Sequence, residues 1–450
     1  MQHERHAAIC RCVEKGPSRE AWSELTALLG ATTTRAELEQ LIDPVRDRLD
    51  AWPSAIRTVP LRWLHEPKGG HPALSLCKVL RCPDPEQPDV GVLKKKDVAA
   101  LRAAVHLDQL EHIEIGRLSA SGAQAREWSH APQLSSVGSL SITGDFRKDA
   151  LEALSSSPSL VHLTSLRLAH CRLRTPELEA LLDSPLLAHL DSLDLSGGNF
   201  LDASDMQRLA RCERLQTLCS LRLSGNKLTS AGLAALLAST HLTRVSDLFL
   251  SRCAIDDEAA ACFESSSLSP SLRRLDLASN AISPGGLQQL VASTSLAQLR
   301  TLVLRSNPLR WMGPRTLAHF SSLDALEELD LSWTPTSDLY DFTASGKFKH
   351  LKLLNLAYTE VSLTDIGWIL SSSDLVSLKR IVFNGCDKVF GRDVEEFPHQ
   401  SSVPLTSIRL GHRYRDYEAL MTCLKDVFPD AEIEVDLEVS SASAARIPEL

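Results

Sequence analysis

His3, His6 and Cys10 stand at i, i+3 and i+7 near the start of the chain. On a helix that spacing gathers three soft ligands on one face, the arrangement a zinc-type ion takes. The matching second pair is missing. Cys77 and Cys82 with His65 and His71 form a similarly loose group, and the expectation is no bound metal and no cofactor. Cys386 and Asp387 stand side by side, but Cys386 falls on a repeat position that calls for a small buried residue. The phosphate loop G-x-x-x-x-G-K-S/T, the zinc helix H-E-x-x-H and the nucleophile elbow G-x-S-x-G do not occur. The common enzyme chemistries are therefore not signalled, and the chain reads as a non-enzyme.

The residues with more to offer are those of a binding surface: Phe249, Arg252, Arg274, Asp276, Val303, Arg305, Glu328, Asp330, Trp333, Leu353 and Tyr358, with Val382 beyond them. An exposed aromatic and aliphatic group interleaved with arginines and carboxylates is the composition of a protein-binding hot spot. These residues share one face only if a repeating strand brings them there.

Such a strand recurs. The pattern L-x-x-L-x-L-x-x-(N/C/T) appears in TLCSLRLSGNKL, SLRRLDLASNAI, QLRTLVLRSNPL, ALEELDLSWTPT and HLKLLNLAYTEV. Its third apolar residue falls at Ile115, Ile142, Leu168, Leu195, Leu223, Leu250, Leu277, Leu304, Leu331, Leu356, Phe383 and Leu410, a mean period of about 27 residues. Leucines two apart point to one side of a strand, and the residues between and beside them point to the other. That parity puts the candidates above on the outer side. The early repeats offer smaller groups there: Ser139 and Ser141, Ser165 and Arg167, Ser192 and Asp194. Trp333 and Tyr358 could instead fold down onto loops and cover the sheet.

After each strand comes a helix, as in NKLTSAGLAALLAST, where Leu233, Leu236 and Leu237 keep helical spacing and Thr229 or Ser230 supplies the N-cap. The Asn of the motif, as in Asn226, Asn280 and Asn307, suits hydrogen bonds to turn backbone between coils, with Cys or Thr filling the same slot. One coil cannot bury its leucines alone, so coils must stack.

These residues resemble the ribonuclease-inhibitor-like class of leucine-rich repeat proteins, shared with the GTPase-activating proteins for Ran and many bacterial repeat proteins. The resemblance implies an α/β, right-handed leucine-rich repeat solenoid: a horseshoe with a concave parallel β-sheet, outer helices and about 27-residue repeats. It implies a scaffold or recognition subunit binding another protein through the concave face. Two alternatives keep the same fold: a regulator of a small GTPase, acting through a loop arginine such as Arg252 or Arg305, and a secreted effector or defence sensor.

The expected organisation is a helical N-terminal cap over 1–55, irregular first repeats with a Pro-rich insertion over 56–106, the array over 107–439 and a disordered tail over 440–450. Ile56, Val59, Leu61 and Leu64 keep repeat spacing and another irregular strand is expected at Leu74 and Leu76, with the loop RCPDPEQPDVG absorbing a surplus of about 12 residues, and a last strand is expected with its repeat leucine at Leu437. Lys and Arg total 48 against 57 Asp and Glu, a net charge of −9, which gives no overall basic field for nucleic acid or an anionic membrane. No apolar stretch approaches a spanning helix, and MQHERHAAICRC lacks a signal-peptide core. Eleven cysteines cannot all pair within the chain, so reduced thiols and a cytoplasmic setting are expected.

Overall fold

The computed structural model describes all residues except 1, 33, 66–70, 83–94, 105, 106, 108, 117–121, 321, 387–399, 412–416 and 437–450. The proline-rich insertion, Asp387, Leu437 and the expected tail lie outside the described residues. Two compact units divide at Phe200 and Leu201. Each is a leucine-rich repeat solenoid of parallel strands alternating with helices.

Met1–Phe200 opens with helices over Gln2–Glu14, Arg19–Leu29, Arg35–Ile42 and Arg46–Asp50. Ser18 and Thr34 start two of them by accepting the N–H groups of Ala21 and Glu37, the usual service of a hydroxyl N-cap. Trp22, Leu25, Leu29, Leu38, Leu41, Ile42 and Leu49 are buried among them. The fully buried guanidinium of Arg57 ties this bundle to the first coils, donating to the Leu76 carbonyl at 2.8 Å and to Gln109 at 2.7 Å and pairing with Asp50 at 3.1 Å. Strands β1 (Thr58–Pro60), β2 (Val79–Cys82), β3 (His112–Ile115), β4 (Ser139–Ile142), β5 (Ser165–Leu168) and β6 (Ser192–Asp194) pair in that order.

Leu201–Leu450 continues the scheme with β7 (Ser220–Arg222), β8 (Asp247–Phe249), β9 (Arg274–Asp276), β10 (Thr301–Val303), β11 (Glu328–Asp330), β12 (Leu353–Asn355), β13 (Arg380–Val382), β14 (Ser407–Gly411) and β15 (Glu432–Asp436), each parallel to the next. All twelve repeat positions from Ile115 to Leu410 are buried, none above 4% exposed.

Two boundaries differ from the sequence expectation. Residues 72–76 form a 3-10 helix, because Pro72 sets its first turn and the His71 ring accepts the Ala73 N–H; the strand begins three residues later at Val79. Register pairs Cys82 with Ile115, so the long step is 33 residues, six more than the usual 27 rather than twelve. At the other end Leu410 pairs with Val435, so Val435 and not Leu437 holds the repeat position, and the last step is 25 residues.

Two polar rows lock coil to coil. At the strand exit, the Asn280 amide donates to the carbonyls of Leu250 and Leu277, each at 2.9 Å, and to Ala278, while its oxygen accepts the N–H groups of Cys253 and Ile255. Asn199 and Asn307 repeat the bridge. Cys171, Cys253 and Cys386 fill the slot with a thiol on the preceding coil's carbonyl, and Thr334 and Thr359 with a hydroxyl on a carbonyl of their own coil. Burial pushes the Cys171 and Cys253 thiols up to about 12. The second row follows the helices: the hydroxyls of Ser157, Ser239, Ser266 and Ser372 donate back to carbonyls of the preceding coil, at 2.5–3.1 Å. Asp149 and Asp257 add helix caps across coils, accepting from Gly122 N–H and from Ser283 N–H of the neighbouring coils.

Asn280→Ala leaves the buried N–H groups of Cys253 and Ile255 without an acceptor, and should cost about 3 kcal/mol in chemical denaturation. Leu277→Asp, which puts a charge between coils, should cost at least as much. A loss below about 1 kcal/mol for the asparagine variant would mean that the bridge is replaceable by water.

Candidate functional site

The site begins with the backbone. Two residues after each repeat leucine the chain turns through the left-handed region: Gly225, Arg252, Ser279, Ser306, Trp333, Tyr358 and Gly385 all have φ between 54° and 75°. The N–H of each of Arg252, Ser279, Ser306, Trp333 and Tyr358 donates to a carbonyl of the next coil at 2.7–3.0 Å. The turn is therefore dictated by coil stacking, and residues with a β-carbon hold it at a cost of roughly 1 kcal/mol each relative to glycine. Residue type gave no warning of this geometry; the position two after the last leucine, where glycine recurs, is the trace it leaves in the sequence.

Trp333 and Tyr358 occupy neighbouring places in that row and stack, centroids 4.2 Å apart and planes at 20°. The Tyr358 ring in turn lies over Gly385, where a β-carbon would come within 2.4 Å of it. Trp333 remains 40% exposed, while Tyr358 is half-buried. The aromatic pair is thus partly a cover over the last turns and partly open to solvent.

The expectation of exposure fails for Asp330, buried at 7%, and for three apolar candidates. Phe249, Val303 and Leu353 are buried, at 8%, 9% and 7%. They do lie on the outer side of the sheet, but strands about 4.8 Å apart let long neighbours close over them. Phe249 shows how: the Arg222 guanidinium lies 3.7 Å from its ring centroid and the Arg274 guanidinium 5.4 Å, a two-sided cation–π contact. Arg252 is exposed, and Arg305, Glu328 and Val382 are half-exposed; Glu328 accepts the Thr301 hydroxyl at 3.2 Å.

Asp276 and Asp330 serve the turn. Each accepts the N–H two residues on, from Ala278 at 2.9 Å and from Ser332 at 2.8 Å. Asp194 and Asn355 do the same for Ser196 and Ala357, so a carboxylate and an amide are alternatives in one slot. Burial holds the Asp276 and Asp330 carboxyls above the usual aspartate range, against the opposing pull of those N–H groups and of Arg274 and Arg305 respectively.

Elsewhere the candidates do not converge. His6 Nε2 and Cys10 Sγ are 3.9 Å apart, Cys77 is buried with its thiol pushed up to about 12, and His71 stacks on Trp63 at 3.9 Å. Among the described residues no group of three or more His, Cys, Asp or Glu side chains is placed to hold a metal ion. No helix among them is long and apolar enough to cross a membrane. The outer face of Met1–Phe200 is occupied with itself: Arg81 pairs with Glu114 at 2.6 Å, His112 with Ser139 at 2.7 Å and Arg167 with Asp194 at 3.2 Å.

A Leucine Rich repeat family model matches residues 214–237 and 268–291. No curated protein matches the chain. Among solved structures it is similar to the complex of Rad7 and Elc1 from yeast, at 16% identity over 72% of this chain and 80% of that one, with a TM-score of 0.46. It is also similar to an internalin (inlF) from Listeria monocytogenes, at 18% identity over 74% and 82%, with a TM-score of 0.38.

Because the folded-state pKa of Asp330 is raised, its carboxyl favours folding most below the ordinary aspartate pKa of about 3.9, and that contribution is lost as pH rises through the folded value. Asp330→Asn keeps the acceptor for Ser332 and carries no charge. It should match or exceed the wild type in stability at pH 7, with the difference shrinking as pH falls toward about 4; a variant clearly less stable at pH 7 would show that the ionised carboxylate is favoured. Gly385→Ala, at φ 72° and against the Tyr358 ring, should lower stability by about 1–2 kcal/mol and quench or shift the fluorescence of Trp333.

Proposed function

We propose that this chain is a non-enzymatic recognition module of the ribonuclease-inhibitor-like class, which binds another protein through the outer face of its sheet in Leu201–Leu450, centred on Trp333 and Tyr358. The observation that carries the reading is the stacked pair itself. A large planar side chain left 40% exposed on a backbone turn fixed by coil stacking is a pre-organised anchor, and little conformational freedom remains to be lost on association. Around it stand Arg252, Arg305 and Glu328, polar groups of both signs that suit a rim rather than a catalytic centre. Phe249, Val303 and Leu353 support the surface from beneath. Ten of the eleven cysteines are free thiols, which fits work in a reducing compartment such as the cytoplasm.

Full-length wild type and a Trp333→Ala/Tyr358→Ala double variant, each used to recover partners from the native source with identification by mass, test this directly. For a partner so identified, the double variant should bind about 30-fold more weakly, or about 2 kcal/mol, with only a small change in Tm. Ser165→Ala/Ser192→Ala, on the outer face of Met1–Phe200, should leave affinity unchanged. An aromatic pair that matters for Tm and not for binding would overturn the reading.

A further inference from the structure

The left-handed row of Leu201–Leu450 has a shape of its own. Glycine, which adopts this conformation freely, stands at Gly225 and Gly385; between them Arg252, Ser279, Ser306, Trp333 and Tyr358 hold φ of 54–57° with their side chains in place. Five consecutive coils thus place a side chain at a turn where glycine is the unstrained choice.

One face of the Trp333 ring is covered by Tyr358 at 4.2 Å. The preceding members of the row are Ser306 and then Ser279, both short and partly exposed, whose hydroxyls have no hydrogen-bond partner among the described residues. The next member is Arg252, exposed, with no carboxylate partner among the described residues. The row therefore presents, in order, a flat aromatic pair, two hydroxyls and a cation, and reads as a trough whose walls are the indole and the guanidinium. Three coil steps of about 4.8 Å separate the walls by about 14 Å, which an extended chain rising about 3.4 Å per residue covers in about four residues.

We propose that this trough binds an extended acidic segment of a partner protein, with a carboxylate on Arg252, a planar ring about four residues away against Trp333, and the intervening backbone hydrogen-bonded to Ser279 and Ser306. The proposal rests on the outer-face reading above and adds the chemistry and register of the partner. Arginine supplies the forked donor for the carboxylate, and the indole face supplies the stack for a planar ring such as tyrosine.

The probe is a pair of dye-labelled synthetic peptides of one composition, Ser-Asp-Ser-Thr-Ser-Tyr-Ser and Ser-Asp-Tyr-Ser-Thr-Ser-Ser, titrated against the full chain by fluorescence anisotropy. The first should bind at least about ten-fold more tightly, since only it spans both walls. Arg252→Gly, which relaxes the backbone and so keeps the fold intact, and Trp333→Ala should each weaken it at least about five-fold. A peptide with Lys in place of Asp should prefer Arg252→Glu to wild type. Equal affinity for the two registers, or binding indifferent to Arg252→Gly, overturns the trough. If neither peptide binds while a recovered protein partner still depends on Trp333 and Tyr358, the trough is wrong and the outer-face reading stands; a protein partner indifferent to the aromatic pair overturns both.

Discussion

Every coil in this protein must leave its strand, turn and present its helix while keeping carbonyls and N–H groups of two coils satisfied in a leucine interior. The inward side chain at the strand exit solves that problem. In the coil of Asn280 one amide accepts two N–H groups and donates to carbonyls on both coils, so the turn is held without water. Because the bridge fixes where the next coil lies, it also fixes the left-handed step before it, the row of exposed side chains on that step, and the aspartates that cap it. The outer face is a consequence of the inner one.

The apolar ladder was legible because burial demands leucine-like residues at a period of two within each strand and about 27 between strands. Twelve positions, from Ile115 to Leu410, followed from that alone. The ends were harder. ALSLC alternates as a strand does, yet Pro72 and the His71 cap bend it into a 3-10 helix. At the far end Ile433 and Val435 pair with Ile408 and Leu410, a shift of two residues that alternation cannot distinguish.

The site was legible only in outline. Parity placed Phe249, Val303 and Leu353 on the correct side of the sheet, but parity does not report whether a neighbour closes over a side chain, and the two arginines flanking Phe249 come from adjacent strands. Asp276 and Asp330 look like recognition charges in the sequence and act first as turn caps. The left-handed row had no signature in residue type, since arginine, serine, tryptophan and tyrosine ordinarily avoid that conformation. The serine row behind the helices, as at Ser239 and Ser266, was not read from the sequence, and it emerges only when each hydroxyl is seen on the preceding coil's carbonyl.

The strand-exit bridge is not equally strong along the chain. Asn280 makes five hydrogen bonds to backbone, whereas Thr334 and Thr359 each make one, to a carbonyl of their own coil, and otherwise meet the side chains of Thr336 and Cys386. Those two threonines belong to the coils that carry Trp333 and Tyr358. The threonine coils beneath the aromatic pair thus carry fewer side-chain bonds to backbone at the strand exit than the Asn280 coil does, and such a turn loses fewer hydrogen bonds when it opens locally. A surface mounted on compliant coils can adjust its spacing to what it grips, while the stiffer asparagine coils beside it keep that give from spreading through the solenoid.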